Sequence, residues 1–381
     1  MNPLVKLAEL GQSIWLDYIR RDLVTGGELD RMIREDGLKG ITSNPSIFQK
    51  AIAGSGIYDA DIRGMVGEGK GVRGIFDALC LRDVRDAADK FRPLYDRLGG
   101  ADGYVSLEVN PHLSRITAAT IREANRLWAL LDRPNVFIKV PGTAEGLPAI
   151  RQLVSDGINV NVTLLFGVPR YREVVEAYMA GLEDRLARGM EIRGIASVAS
   201  FFVSRIDTLV DSMLDVLPGG AGLEADTVKK IRGQVATASA KVAYQVYREA
   251  FSSARFNKLA EKGAGTQRVL WASTSTKNPA YSDLKYLEPL IGPDTVNTVT
   301  VETLNAYRDH GKPENRINQD VEESRLTMAL LPGLGIDIDR VTRQLEDEGV
   351  AKFQQSYDEL MASLEAAVEK YGAGTIPLNI G

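Results

Sequence analysis

Histidine and cysteine are nearly absent: the 381 residues hold two histidines and one cysteine. His112 and His310 stand in unrelated contexts, and no HExxH or CxxC spacing occurs. That weighs against a zinc centre, although carboxylates alone could still hold magnesium. No metal or organic cofactor is therefore expected. Cys80 has no partner for an intramolecular disulfide and suits a reducing compartment. It lies in the helix-like stretch "GIFDALCLRDV" and reads as a packing residue, not a nucleophile. No apolar run approaches the roughly 20 residues of a membrane span, and the start "MNPLVKLAELGQSIWLDYI" carries acidic residues and no signal-peptide core. The net charge of -5 advertises neither nucleic acid nor an anionic membrane surface. The expectation is a soluble cytoplasmic protein with small-molecule partners, as a monomer or homodimer.

What is present is a long alternation. Apolar, β-branched runs occur at 13–19, 40–44, 104–109, 135–140, 158–166, 195–203, 268–274 and 297–304. Between them, segments such as 113–131 and 171–189 repeat apolar residues at three- and four-residue intervals, as helices covering a sheet do. Eight such alternations predict a (β/α)8 barrel of the α/β class, with the chain from 1 to 381 as one domain. Extra helices are predicted at 57–98 and 224–262, and a C-terminal helical extension at about 320–372. An open doubly wound sheet would announce a glycine-rich fingerprint at its first turn. The first turn here reads "RRDLVTGGELD" instead.

Catalytic groups of such barrels sit at the C-terminal ends of the strands. Those ends carry Asp17, Asn44, Glu108, Lys139, Thr163, Ser200 and Arg205, then Ser275 and Lys277. Lys139 is the conspicuous one, a lone charge within "NVFIKVPGT". A buried ammonium must be paired or neutralised. Two readings stay open at this point. The lysine is either the partner of a buried carboxylate such as Glu108 or Asp17, or an amine that attacks a carbonyl to form a Schiff base.

The blocks "GITSNPSIF", "SLEVNPHLS", "FIKVPGTAEGL", "INVNVTLLF" and "SFFVSRID" resemble, in this order, the transaldolase family, over about residues 13–307. The longer-chain members, including those fused to a glucose-6-phosphate isomerase, are the most similar in pattern, and nothing here is long enough to be that second domain. The resemblance implies a cofactor-free transfer of a dihydroxyacetone unit between sugar phosphates in the pentose phosphate pathway. It implies that Lys139 carries the Schiff base and that Asp17 moves the proton on the hydroxyl beside the breaking carbon–carbon bond. Glu108 would act through a water held by Thr163, and Asn44 and Asn161 would bind donor hydroxyls.

For the substrate phosphate, Arg205 at a helix start offers a planar fork, while Ser200, at the end of the preceding strand, is a candidate for substrate binding without a part assigned. "STSTKNP" adds Ser275 and Lys277 after the seventh strand; the family more often shows an arginine near this point. Phe202 in "SFFVSRID" matches the transferring enzymes, whereas aldolase relatives tend to carry tyrosine there. A fructose-6-phosphate aldolase, a pyridoxal-phosphate barrel and a catalytically silent sugar-phosphate binder are the alternatives. Filled polar positions throughout argue against the silent one.

Overall fold

The computed structural model describes residues 2–217 and 223–372. Eight short, almost wholly buried strands pair in chain order and close on themselves as a parallel barrel. They are β1 (Gln12–Leu16), β2 (Gly40–Ile41), β3 (Tyr104–Glu108), β4 (Val136–Pro141), β5 (Val160–Leu165), β6 (Ser197–Phe202), β7 (Arg268–Ala272) and β8 (Thr295–Val299). Sixteen α-helices surround them among the described residues. Strands buried on both faces read as continuous apolar runs, which is why the run-length reading found all eight. It extended the last one too far. Thr300 ends β8 by capping the helix Val301–His310, its side chain accepting from the Thr303 N–H.

The barrel interior is layered. Trp15, Tyr104 and Phe137 gather low in it, with Tyr104 and Phe137 stacked at 4.3 Å between ring centroids. Burying each of these rings is worth about 1.5–3 kcal/mol. Below the rings, Asp102 accepts from the Trp15 indole at 2.8 Å and pairs with Arg268 at 3.4 Å. Because side chains alternate along a strand, Phe137 and Lys139 share a face, as do Tyr104, Ser106 and Glu108. The aromatic floor thus fixes which residues rise toward the C-terminal mouth.

The predicted insert at 224–262 is three helices, Leu223–Ile231, Val235–Phe251 and Ala254–Ala260. Its first break falls at Gly233, whose φ of 66° favours glycine and where a Cβ would lie 2.5 Å from the Tyr281 hydroxyl. The predicted extension is the helices Val321–Leu330 and Ile338–Gly372. The latter, 35 residues long, does more than extend the fold: Lys352 and Phe353 reach the mouth of the barrel. No helix among the described residues is long and apolar enough to cross a membrane.

Candidate active site

Lys139 is 3% exposed, and strand register sets Glu108 on one side of it and Asn161 on the other. Its Nζ lies 3.6 Å from Glu108 Oε2, an electrostatic contact longer than a hydrogen bond, and donates to the Ser43 carbonyl at 3.3 Å. Among the described residues, neither Glu108 oxygen has a hydrogen-bond partner, and neither does the buried Thr163 hydroxyl. Three unsatisfied oxygens on the strands flanking one amine form a polar chamber with unused hydrogen-bonding capacity. Burial pushes the Glu108 carboxyl up to about 7, against the pull of Lys139.

Asn161 is fixed from both ends. Its amide donates to Ser106 Oγ at 3.1 Å, and its carbonyl accepts from Ser200 Oγ at 2.7 Å. Ser200 is thereby spent inside the barrel, away from the mouth cavity. Ser106, which sequence reasoning passed over, closes this chain. Its only signal is position, two residues before Glu108 on the same strand face.

Asp17 follows directly on β1, held by its N–H to the Val299 carbonyl at 2.8 Å. It caps no helix; its Oδ1 accepts from Thr42 Oγ1 at 2.6 Å, and Thr42 meets Thr298 at 2.7 Å. Burial raises its pKa above the ordinary carboxylate value, while Lys139, the Thr42 bond, Lys277 and Arg205 pull it down. A half-buried carboxylate with a raised pKa is a better proton acceptor than a solvated one.

Above these groups opens a cavity of about 750 Å3, which brings Asp17, Asn44, Phe202, Arg205, Ser275 and Lys277 together. Asn44 caps the helix Pro45–Ala53 with its side-chain oxygen, leaving its amide nitrogen without a partner among the described residues. Phe202 rests against Phe166 at 5.1 Å between centroids, and the Arg205 guanidinium covers its ring at 5.6 Å. Arg205 is the second residue of the helix Ser204–Asp215 and makes no ion pair among the described residues. Lys277 donates to Ser275 at 2.6 Å. Lys50 and Lys352, which sequence reasoning missed, also line the cavity.

Two residues at the C-terminal ends of strands hold left-handed backbone. Leu164, with φ 60°, follows Thr163 where the β5–β6 register shifts, and Ser273, with φ 54°, follows β7. An apolar γ-branched residue in this region costs on the order of 1–3 kcal/mol, a kind of strain that concentrates at functional sites. Cys80 is buried with its thiol pKa raised and lines a small, mostly apolar pocket that Asn44 and Glu108 also line, and the two histidines pair with surface aspartates.

Glu108 gives a pH-dependent expectation. Its folded-state pKa lies above the usual 4.5, so its contribution to stability is full below pH 4.5 and is lost as pH rises through about 7. Glu108→Gln, which cannot ionise, should gain on wild type by roughly 3 kcal/mol between pH 4.5 and 8. Denaturant midpoints at the two pH values measure this; a constant difference would mean that burial does not set the Glu108 proton.

A buried amine beside Glu108, with Asp17 and the cations Arg205 and Lys277 at the mouth, is equipped to form an imine with an anionic carbonyl compound. The chain belongs to the transaldolase/fructose-6-phosphate aldolase family, whose sequence profile matches residues 14–364. Within it, the chain is 48% identical to the transaldolase of Trichodesmium erythraeum over 375 residues, 97% of this chain and 98% of that one. It is 48% identical to the transaldolase of Thiobacillus denitrificans over 364 residues, covering 96% and 100%, and 43% identical to that of Frankia alni over 372 residues, covering 97% and 99%.

Proposed function

We propose that this chain is a transaldolase, moving a dihydroxyacetone unit from a ketose phosphate to an aldose phosphate through an imine on Lys139. The observation that carries the reading is Lys139 itself, buried between Glu108 and Asn161 with Asp17 at the neighbouring mouth. Transaldolase relatives matched over nearly their full length support it.

The amine attacks the donor's C2 carbonyl, forming a carbinolamine. Glu108, which titrates near neutrality, delivers the proton that lets the hydroxyl leave as water, acting through a water that the Thr163 hydroxyl helps to hold. Asp17 then takes the C4 hydroxyl proton. The C3–C4 bond breaks, the aldehyde departs, and its electron pair remains on a three-carbon enamine at Lys139. The acceptor aldehyde is attacked by the same carbon, Asp17 returns the proton, and water releases the new ketose. Asn44 and Asn161 orient donor hydroxyls, and Arg205 with Ser275 and Lys277 holds the phosphate. Ser200 serves by fixing Asn161. The whole chain acts as one catalytic unit in the compartment where sugar phosphates circulate, the cytoplasm.

A coupled assay with sedoheptulose 7-phosphate and glyceraldehyde 3-phosphate tests this; turnover to fructose 6-phosphate is expected. The aldolase alternative turns on the fate of the enamine. Phe202 places an aromatic ring without a hydroxyl in the cavity wall, so the enamine stays unprotonated until an acceptor arrives. Given fructose 6-phosphate and no acceptor, wild type should release little dihydroxyacetone and Phe202→Tyr clearly more. Substantial release by wild type would move the assignment to aldolase.

A further inference from the structure

Arg205 and Lys277 share the mouth cavity with Lys50, from the helix Pro45–Ala53, and Lys352, from the helix Ile338–Gly372. None of the four makes an ion pair among the described residues. Carboxylates are near, Glu348 and Asp17 acting on Arg205, Glu302 and Asp17 on Lys277, and Asp22 and Glu28 further along the cavity wall, but none is within ion-pair distance of the four cations. Cations that face one another without a directly paired carboxylate repel, and an anion entering between them relieves the repulsion. The repulsion is visible in Lys352, whose pKa is lowered first by Arg205, then by burial, Lys277 and Lys50.

Lys352 is also well placed by its own helix. Three residues earlier, Gly349 brings the helix onto Leu164; a Cβ there would lie 3.0 Å from Leu164 Cδ2. Phe353 is buried beside it, and four residues later Ser356 bonds to Ser46 at 2.7 Å. Its backbone is thus seated against β5 on one side and the helix of Lys50 on the other.

We propose that Lys352, assisted by Lys50, is a specificity-determining residue that grips the substrate phosphate from the C-terminal helix, across the cavity from Arg205 and Lys277. This rests on the sugar-phosphate reading of the site. It makes the long C-terminal helix part of substrate recognition.

The test is calorimetric titration of inorganic phosphate at low ionic strength, which needs no turnover. Lys352→Met should weaken phosphate binding about fivefold to tenfold and Lys50→Met about threefold, sizes between those of a charge-assisted bond and an exposed ion pair. Lys352→Arg should retain most of the affinity. Lys258→Met, an exposed lysine outside the cavity, should match wild type. The KM for fructose 6-phosphate should rise by the same factor in Lys352→Met, with most of the effect in KM and not kcat, while the KM for unphosphorylated fructose stays put. Unchanged phosphate affinity in Lys352→Met, or equal losses for both sugars, would overturn the proposal. A wild type that binds phosphate through Lys352 yet turns over no sugar phosphate would instead undo the catalytic reading and leave this site standing.

Discussion

Lys139→Arg should give a folded protein without measurable transfer, a loss of at least about 10⁴-fold, because the covalent step is removed outright. The guanidinium stays protonated and cannot attack a carbonyl, yet it keeps the positive charge facing Glu108, 3.6 Å away in the native pair. A fold that depends only on that pairing would therefore survive the change. Lys139→Met, similar in length and uncharged, separates the two effects: it should be equally inactive but less stable at pH 8, where Glu108 would be left buried without its partner. The chemical counterpart is reductive trapping. Borohydride added with fructose 6-phosphate should inactivate wild type and attach sugar-derived mass to the peptide containing Lys139. Mass on a different lysine, or residual turnover in both variants, would end the covalent assignment.

How far the sequence alone reached depended on whether a feature is local. The eight strands announce themselves by apolar runs, and the polar residues at their ends could be read off one by one. Lys139 was conspicuous because its neighbours Val136, Phe137, Ile138 and Val140 are all apolar and buried. Position along a strand also placed Asp17, Asn44, Arg205 and Lys277 at one end of the barrel, where the cavity lies. Features made by two distant segments were not legible. The Ser106–Asn161–Ser200 chain joins three strands, and only register reveals that Ser200 is occupied with Asn161. The left-handed Leu164 sits inside an ordinary-looking "NVTLLF", where nothing marks a register shift. Lys352 stands in an amphipathic helix among many other charges, so its pattern says only that it faces away from the core. That its helix lies over the barrel mouth is decided by Gly349 against Leu164 and by Ser356 against Ser46, contacts across more than 180 residues.

Asp17→Asn should divide the reaction at the carbon–carbon bond. The amide has nearly the shape of the carboxylate and can keep the bond from Thr42, so the wall of the cavity should stay in place. It cannot accept the C4 hydroxyl proton. Loss of a positioned general base costs about 10² to 10⁴-fold, and transfer should fall by that much. Imine formation depends on Lys139 with Glu108, which lie on β4 and β3, and should continue. Borohydride trapping then reports where the variant stalls. Wild type incubated with fructose 6-phosphate should yield a mixture containing three-carbon adducts, because cleavage follows imine formation. Asp17→Asn should yield adducts that keep all six carbons and the phosphate. Three-carbon adducts at wild-type abundance would show that another group takes the proton. Failure to trap any adduct would place Asp17 in imine formation, alongside Glu108. Raising the pH separates the variant from wild type further: burial lifts the Asp17 pKa, so wild-type cleavage should gain as that carboxyl ionises, and the asparagine variant, with no proton to lose, should show no such rise.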